Sequence, residues 1–447
     1  MLSQISSPVE SDQLGLKRDF ELIDTLLSLG RVTVEDIVAP HSLPEFRRSS
    51  VDGYAVRASD TFGSTDSMPA YLNLIGEVPM GKTSLYDLES DQCVLIHTGG
   101  MLPKSADAVV MLEFTQEFKN RKVGGQGEVN NNISNGRINP KINNEIEILR
   151  PVANGENVIL VGEDVKAGSI VIPKNRKIRP SEIGGLCALG ILSLRVATRP
   201  RIGIISTGDE IVNPDAQTQL GQVRDINSFT LSALVTKIGG EPILYGVVPD
   251  QMMRMKELAL KALMECNMVV ITAGSSASSR DMTAEVINTL GDPGVIVHGI
   301  NTRPGKPTIL GVCSGKAVVG LPGNPVSALV NGYLFVKPVI EKLLGLPYDI
   351  LTGSINYPSV LARLTVNLPS QAGREDWWPV KLIPVPRSDD ISSNKNGESE
   401  LMDNWQAVPI FGKSNLIFTL VAADGLLRIS SEVTGLSEGE RVEVVLL

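Results

Sequence analysis

Residues 269–281, V-V-I-T-A-G-S-S-A-S-S-R-D, place small hydroxylated side chains and a carboxylate directly after an apolar run. The run is rich in β-branched residues and is followed by apolar residues at helical spacing, so the stretch predicts a buried strand, a tight loop and a helix. Such a loop points backbone N–H groups and the positive end of a helix dipole at one spot, which suits an anion. We therefore expect this loop to form an anion site, with an ordinary serine-rich turn as the alternative.

Carboxylates stand at the ends of two other predicted elements. Asp209 and Glu210 close the strand-like run R-I-G-I-I-S-T-G-D-E that begins at residue 201. Asp225 precedes an apolar helix in the position of a capping residue.

Two loops further along the chain carry positive charge and helix-start signals. Residues 301–307, N-T-R-P-G-K-P, hold Arg303 and Lys306 on a segment stiffened by two prolines. Two fixed positive charges suit an oxyanion or a phosphate. In G-L-P-G-N-P-V-S, Asn324 is the expected N-cap and Pro325 the first residue of a long helix.

These loops belong to one pattern. Over residues 201–345, short apolar strands alternate with helices of about 10 to 15 residues, which predicts a mostly parallel sheet covered on both faces. Ligands bind such sheets at the carboxyl ends of the strands. Four of the loops lie there, at residues 207–210, 272–281, 301–306 and 320–324. The pattern therefore favours a functional cleft over four unrelated turns.

The rest of the chain reads differently. Residues 16–40 carry leucines at helical spacing and predict a helix. Residues 71–114 alternate short apolar runs with Gly and Pro, which predicts a small β-rich unit inserted between two parts of another domain. After residue 347 the composition is again typical of β-strands, and the polar segments 373–376 and 412–415 stand out there.

Composition limits the classes of function. The 447 residues suffice for roughly three or four compact units. A net charge of -9 disfavours a nucleic acid as the main partner. The four cysteines form neither a CxxC pair nor a cluster with His, which argues against disulfides and structural zinc. The sequence begins without a signal-peptide pattern and has no apolar run near the about 18 residues of a membrane span, so we expect a soluble cytoplasmic protein.

Taken in order, the motifs resemble those of the MoeA family, the molybdopterin molybdenumtransferases, which include the gephyrin E domain. Singly several of them are weak, but their order and separations are specific. The motifs are S-S-V-D-G-Y-A-V (49–56), H-T-G-G (97–100), A-D-A-V-V-M (106–111), S-T-G-D-E (206–210), D-I-N-S (225–228), the 272–281 loop, R-P-G-K-P (303–307), G-L-P-G-N-P-V-S (320–327) and G-R-E-D (373–376).

The resemblance implies an α/β multidomain fold and a homodimer. A split N-terminal domain (1–45 and 148–180) would surround an inserted β-rich domain (46–147). A central, mostly parallel, doubly wound α/β domain (181–347) would bind molybdopterin, and a C-terminal β-barrel-like domain (348–447) would follow. The implied reaction inserts molybdate into the dithiolene of adenylylated molybdopterin, with Mg²⁺-dependent loss of AMP.

The resemblance also implies residue roles. Ser275 and Ser276 would cradle phosphate, and Asp225 and Asp281 would hold Mg²⁺. Asp52, Glu210 and Asp281 would be catalytic, and Asp209 would lie in the same substrate cleft as Glu210. Arg303, Lys306, Arg374 and Ser414 resemble the molybdate pocket of the family. Thr98 joins Asp52 in facing the cleft of a partner subunit, and Asn324 and Pro325 complete the substrate-binding set.

Two departures from the family pattern leave alternatives open. The family loop is usually written S-G-G-V-S-x-G, whereas A-G-S-S-A-S-S stands here, and the first basic residue of R-P-G-K-P is more often Lys. A Cβ on Ser keeps a phosphate farther away than Gly does. The alternatives are a divergent paralogue that acts on tungstate or another nucleotide-linked pterin, and a non-catalytic dimeric scaffold.

Overall fold

The computed structural model describes residues 19–119, 144–273, 277–347, 358–385 and 404–447. The chain divides into two compact units. The main unit comprises Met1–Glu35, Lys174–Ile183 and Leu192–Leu447, and the β unit comprises Asp36–Pro173 and Gly184–Ile191. Within the described ranges, no helix combines the length and the apolar character that crossing a membrane requires.

The described chain begins with a strand, so the helix predicted over residues 16–40 is wrong. Strand β1 (Phe20–Asp24) pairs antiparallel with Ser193–Ala197, and a short 3-10 helix, Thr25–Leu27, follows it. The Asp24 carboxylate accepts a hydrogen bond from the Leu26 N–H at 2.8 Å and so caps this turn. The leucines at helical spacing lie on the surface instead of packing on one buried face.

The β unit is built on a six-stranded sheet, as its short apolar runs predict. The strands of the unit are β2 (Ile37–Val38), β3 (Arg48–Ser49), β4 (Gly53–Val56), β5 (Ala70–Val78), β6 (Gln92–Ile96), β7 (Ala108–Met111), β8 (Thr115–Lys119), β9 (Asn144–Ile148), β10 (Val158–Ile159) and β11 (Ile170–Ile172). The order in the sheet is β7-β4-β6-β5-β9-β8. Successive side chains point to opposite faces of a strand, so Tyr54 and Val56 join one apolar cluster and Ala55 joins another.

The α/β part of the main unit follows. Its elements are α1 (Pro180–Ala188), whose last residues belong to the β unit, β12 (Ser193–Ala197), β13 (Arg201–Thr207), β14 (Ile211–Val212), β15 (Val223–Arg224), α2 (Asn227–Ile238), β16 (Glu241–Val248), α3 (Met252–Glu265), β17 (Met268–Ala273), α4 (Ala277–Asn288), β18 (Pro293–His298), β19 (Thr302–Arg303), β20 (Ile309–Cys313), β21 (Lys316–Pro322), α5 (Pro325–Asn331) and α6 (Lys337–Leu344).

The central sheet has the order β16-β13-β17-β21-β20-β18. The first four strands are parallel, and β20 and β18 add antiparallel to one edge. All six residues of β17 are buried, which explains its continuous apolar run. One apolar cluster packs α2 and α6 against the sheet, and a second packs α3 and α4. The predicted doubly wound α/β domain is confirmed.

Two helix starts refine the predictions. Helix α4 begins at Ala277, so Asp281 lies inside it and not before it. Asn324 is the N-cap of α5 and Pro325 its first residue, as predicted. The long helix expected from there to Leu344 is interrupted by a π-helical turn, Gly332–Val336.

A closed barrel ends the chain. Its part of the chain contains β22 (Ser359–Leu364), β23 (Leu368–Pro369), β24 (Glu375–Pro384), β25 (Trp405–Pro409), α7 (Phe418–Val421), β26 (Gly425–Ile429), β27 (Gly435–Leu436) and β28 (Arg441–Leu446). The order β24-β25-β22-β28-β26 returns to β24, which closes five strands and confirms the barrel-like domain. The boundaries of the four predicted domains stay a prediction.

Candidate functional site

The basic loop after β19 is held from two sides. Strand β19 pairs with β24 of the barrel, and the Thr302 hydroxyl donates to the Glu375 carbonyl at 3.0 Å. On the other side the buried Asn331 amide donates to the Pro304 carbonyl at 3.2 Å. Gly305 has φ +106°, and a Cβ there would lie 1.7 Å from the Asn331 nitrogen. Only glycine therefore fits this close approach.

A cavity of about 750 Å³, here called the basic cavity, opens between this loop, the start of α5 and the barrel. Five of the predicted substrate-binding residues line it, together with a lysine that the prediction left out. They are Arg303, Lys306, Asn324, Arg374 and Ser414, and the added residue is Lys413. The sequence prediction thus brought together residues that are more than 100 positions apart in the chain.

The cations of the basic cavity are of two kinds. The Arg374 guanidinium makes two hydrogen bonds to the buried Asp376 carboxylate, at 2.6 and 2.9 Å, and this pairing raises the pKa of Arg374. The Arg303 guanidinium lies over the Trp378 ring at 5.2 Å. In the described ranges, neither Lys306 nor Lys413 forms a salt bridge. Their positive charges are therefore available to an anion.

A second cavity of about 570 Å³, here called the polar cavity, lies at the carboxyl ends of β13 and β17. Hydroxyl groups fix its floor: the Ser206 hydroxyl is 3.0 Å from both the Ser228 and the Thr272 hydroxyls. Glu210 and Asp225 supply carboxylates to the same lining. This is the place where ligands bind sheets of this kind.

Asp225 makes a structural contact through one carboxylate oxygen, which accepts the Ser228 N–H in the first turn of α2 at 3.1 Å, and the residue is 5% exposed. The N-cap position itself belongs to Ile226 and not, as predicted, to Asp225. The amide oxygen of Asn227, in the same lining, is buried and has no hydrogen-bond partner among the residues that the structure describes. No group of three or more His, Cys, Asp and Glu side chains that could hold a metal occurs in the described part of the chain. Because Mg²⁺ often binds one or two carboxylates plus substrate phosphates, Asp225 and Glu210 fit it only with substrate present.

The two cavities meet at one loop contact. Asn324 and Asn415 line both of them. The Asn324 amide donates to the Ser414 hydroxyl at 3.1 Å, and the Val326 N–H donates to the Ser414 carbonyl at 3.0 Å. Asn324 thus occupies the N-cap position without capping the helix through its side chain. Instead it ties the barrel loop to α5, and Pro325 faces the polar cavity.

The remaining predicted residues of the main unit lie elsewhere or outside the described ranges. The Asp209 carboxylate accepts the Asp250 N–H at 3.2 Å. Asp281 is exposed on α4, and neither cavity has it in its lining. Ser275 and Ser276 lie outside the described residues. The roles predicted for these four residues stay predictions.

Asp52 and Thr98 come together in the β unit. One Asp52 oxygen accepts the Thr98 N–H at 2.7 Å and the Thr98 hydroxyl at 3.1 Å. These two hydrogen bonds, with a smaller effect of His97, lower the pKa of Asp52. One ring nitrogen of His97 lies 3.8 Å from the Asp52 carboxylate, and the other lies 2.9 Å from Glu77. The sequence analysis gave no role to His97, although it belongs to the H-T-G-G motif, or to Glu77, which lies on a different strand.

The prediction also missed Lys413 and Asn415 of the basic cavity and Asn227 of the polar cavity. A signal existed for all three. Asn227 lies within D-I-N-S, and the other two flank Ser414 in a polar segment of the barrel. The resemblance gave roles to their neighbours Asp225 and Ser414 but to none of these three residues.

Three family descriptions together match most of the chain. "MoeA N-terminal region (domain I and II)" matches residues 4–190, "Probable molybdopterin binding domain" matches residues 203–342, and "MoeA C-terminal region (domain IV)" matches residues 361–447. The polar cavity lies within the second match. The basic cavity is lined by residues of the second and third.

Relatives along the whole chain agree. A putative molybdopterin biosynthesis protein of Methanocaldococcus jannaschii is 33% identical, over 98% of this chain and 94% of that protein. The molybdopterin molybdenumtransferase of Haemophilus influenzae is 30% identical, over 99% and 96%. The crystal structure of a molybdopterin biosynthesis MoeA protein from Pyrococcus horikoshii OT3 matches with a TM-score of 0.76 at 31% identity, over 100% of this chain and 97% of that one. The chain belongs to the MoeA family.

Proposed function

We propose that this chain is a molybdopterin molybdenumtransferase, which inserts molybdate into adenylylated molybdopterin with Mg²⁺-dependent release of AMP. Relatives with that name, matched along most of their length, support a transferase of molybdenum cofactor biosynthesis. The substrates, the metal ion and the release of AMP are the proposed part.

The observation that carries the proposal is the pair of adjoining cavities. One is rich in cations and the other contains carboxylates at strand ends, and Asn324 and Asn415 line both. The reaction needs two substrates to meet, a tetrahedral dianion and a large nucleotide conjugate. Two chemically different cavities with a common wall suit this requirement.

The polar cavity suits the phosphoanhydride of adenylylated molybdopterin. Asp225 and Glu210 would hold Mg²⁺ together with the phosphate oxygens of the substrate. Held there, Mg²⁺ would neutralise the charge that develops on the leaving group when water hydrolyses the anhydride and AMP is released. The hydroxyl groups of Ser206 and Thr272 have fixed positions in the floor of the cavity, so the chain itself supplies a rigid frame for the substrate.

The basic cavity suits molybdate. Lys306 and Arg303 stand on a loop that both the barrel and α5 hold in place, so little conformational freedom is lost when the anion binds. Ser414 lies at the wall that the cavities share, where its hydroxyl is within reach of Asn324. Molybdate bound there would thus lie next to the polar cavity, which is proposed to hold the molybdopterin conjugate.

A homodimer and a cytoplasmic location are part of the proposal. Asp52 and Thr98 would face the cleft of a partner subunit, as the resemblance implies. Exposed leucines near the N-terminus, Leu22, Leu26 and Leu27, support an association surface, because their exposed fractions are 67%, 71% and 75%.

A direct assay tests the function. The pure protein is incubated with adenylylated molybdopterin, molybdate and Mg²⁺, and AMP and molybdenum cofactor are quantified. We expect both products to appear together and to require both molybdate and Mg²⁺. Product formation with tungstate but not with molybdate would favour the divergent paralogue, and binding of substrate without turnover of either oxyanion would favour the scaffold.

A further inference from the structure

The loop that carries Lys413 is fixed as firmly as the basic loop that carries Lys306. The Ser414 carbonyl accepts the Val326 N–H, and the Leu416 N–H donates to the Lys413 carbonyl at 3.0 Å. A ring contact adds to this: Phe411 packs edge-on against Trp378, with centroids 5.6 Å apart. Lys413 therefore enters the basic cavity from a defined backbone position in the barrel.

The other cations of the cavity differ from the two lysines in what they already contact. Asp376 offsets the charge of Arg374 through two hydrogen bonds. Arg303 is placed on the face of Trp378. A bound dianion is stabilised most by positive charges that no carboxylate already neutralises. Of the four cationic side chains, Arg303, Lys306, Arg374 and Lys413, only Arg374 has a carboxylate partner in the described ranges. The two ammonium groups are the most compact of the remaining charges.

We propose that Lys413 is a further oxyanion-binding residue, which grips the dianion together with Lys306 and sets the preference of the cavity for doubly charged tetrahedral anions. The inference rests on the proposed function, in which the basic cavity takes molybdate. It adds a residue from the barrel loop to a set chosen from the α/β loop and from Arg374 and Ser414.

Charge gives the inference a measurable signature. Coulomb energy is proportional to the product of the charges, so one lysine contributes about twice as much to a dianion as to a monoanion of the same shape. Tungstate and perrhenate are such a pair, because both are tetrahedral and they differ in charge. If loss of the lysine weakens tungstate binding about tenfold, it should weaken perrhenate binding only about threefold.

The experiment measures the binding of molybdate, tungstate and perrhenate to the full-length protein by equilibrium dialysis with elemental analysis, at low ionic strength. The variants are Lys413→Gln, Lys413→Arg and Lys306→Gln. Lys381→Gln is the matched control, because Lys381 is an exposed lysine on β24 of the same barrel and does not line the cavity. It removes the same net charge.

We expect Lys413→Gln to weaken the binding of both dianions about tenfold and the binding of perrhenate about threefold. The affinities of Lys413→Arg and Lys381→Gln should be near those of the wild type. Lys413→Gln could instead affect dianion binding no more than Lys381→Gln does, while Lys306→Gln still weakens it. That result would overturn the role of Lys413 and leave the assignment of the cavity to molybdate intact. Equal weakening of dianion and monoanion would overturn the charge preference. Absence of oxyanion binding by the wild-type protein would overturn both the inference and the molybdate site.

Discussion

At the scale of single residues, the two cavities differ in which charges already have partners. Asp376 is fully buried and binds Arg374 through both of its oxygens. One Asp225 oxygen accepts the Ser228 N–H in the first turn of α2. The proposed metal role of Asp225 can be tested by a substitution that preserves this hydrogen bond and removes the negative charge.

Asp225→Asn is that substitution. The amide oxygen of Asn can accept the same Ser228 N–H, so we expect the free energy of unfolding to change by less than about 1 kcal/mol. Loss of a group that only hydrogen-bonds a metal ligand costs about 10- to 100-fold in metal affinity or activity, so loss of the charge on a ligand itself should slow AMP release by at least about 100-fold. The measurement is AMP release across a Mg²⁺ titration, with Asp215→Asn, an exposed carboxylate outside both cavities, as the control. Equal Mg²⁺ dependence in the two variants would remove Asp225 from the metal site.

Asp52 gives a second prediction at this scale. The Thr98 N–H is the largest cause of its lowered pKa and the Thr98 hydroxyl is the second. Thr98→Val removes only the hydroxyl, so we expect the pKa of Asp52 to rise but to stay below the ordinary value of 3.8. Since the folded state has the lower pKa, the stabilisation from Asp52 is present above the ordinary pKa and is lost as pH falls through the folded value. Carboxyl NMR titration measures the shift, and an unchanged pKa would mean that the hydroxyl hydrogen bond does not form.

At the scale of elements, the site depends on short loops that larger elements hold in place. The loop around Gly305 lies between β24 and the buried Asn331, whose amide also donates to the Ser327 carbonyl at 2.7 Å. The barrel loop at Ser414 rests on the first turn of α5. Helix α5 therefore positions both walls of the basic cavity.

Gly305→Ala tests this arrangement. Gly246 also has positive φ, but no atom lies within 4 Å of the position of its Cβ. Gly246→Ala therefore costs backbone strain alone, about 1 to 2 kcal/mol. Gly305→Ala adds a clash with Asn331 and should destabilise by roughly 2 kcal/mol more. Calorimetric unfolding measures both, and equal destabilisation by the two substitutions would show that the loop moves freely away from α5.

Predictions from local sequence succeeded where the pattern itself decides the structure. A continuous β-branched run gave β17, and Asn324-Pro325 gave the start of α5. The helix over residues 16–40 failed because β1 pairs with a strand about 170 positions away, which spacing within one segment cannot reveal. Gly53 is a similar case: the Asp-Gly pair is typical of a turn, but Gly53 begins β4, where a Cβ would lie 2.0 Å from the Val110 carbonyl.

The candidate site was predictable to the same extent. The strand-end rule placed Glu210 and Lys306 at one edge of the sheet, and they line the polar and the basic cavity. The family resemblance added Asp225 and Ser414, which line the same two cavities. The contact between Asn324 and Ser414 depends on how the barrel loop packs on α5, so local patterns carry no sign of it. Lys413 and Asn415 were missed for this reason.

At the scale of the whole molecule, the proposal requires two copies of the chain. The residues of the β unit that resemble the family's catalytic set, Asp52 and Thr98, would complete the cleft of the other protomer. Oligomers of identical chains usually have two-fold symmetry, so a dimer would contain two equivalent clefts.

Mixed dimers test this sharing. Asp52→Ala and Asp225→Ala homodimers should each be inactive, because every cleft lacks one residue. After the two are unfolded together and refolded, half of the dimers would be mixed, and each would contain one intact cleft. We expect about a quarter of the wild-type AMP release to return. If both residues act within one chain, no activity returns, which would show that the cleft is not shared.

The central claim is that two adjoining cavities hold the oxyanion and the nucleotide at the same edge of one sheet. Crystals soaked with tungstate, AMP and Mg²⁺, measured at the tungsten absorption edge, test it most directly. We predict an anomalous peak in the basic cavity beside Lys306 and Ser414, and the AMP phosphate in the polar cavity beside Asp225. A tungsten peak outside the basic cavity, or AMP bound away from Asp225, would contradict the account.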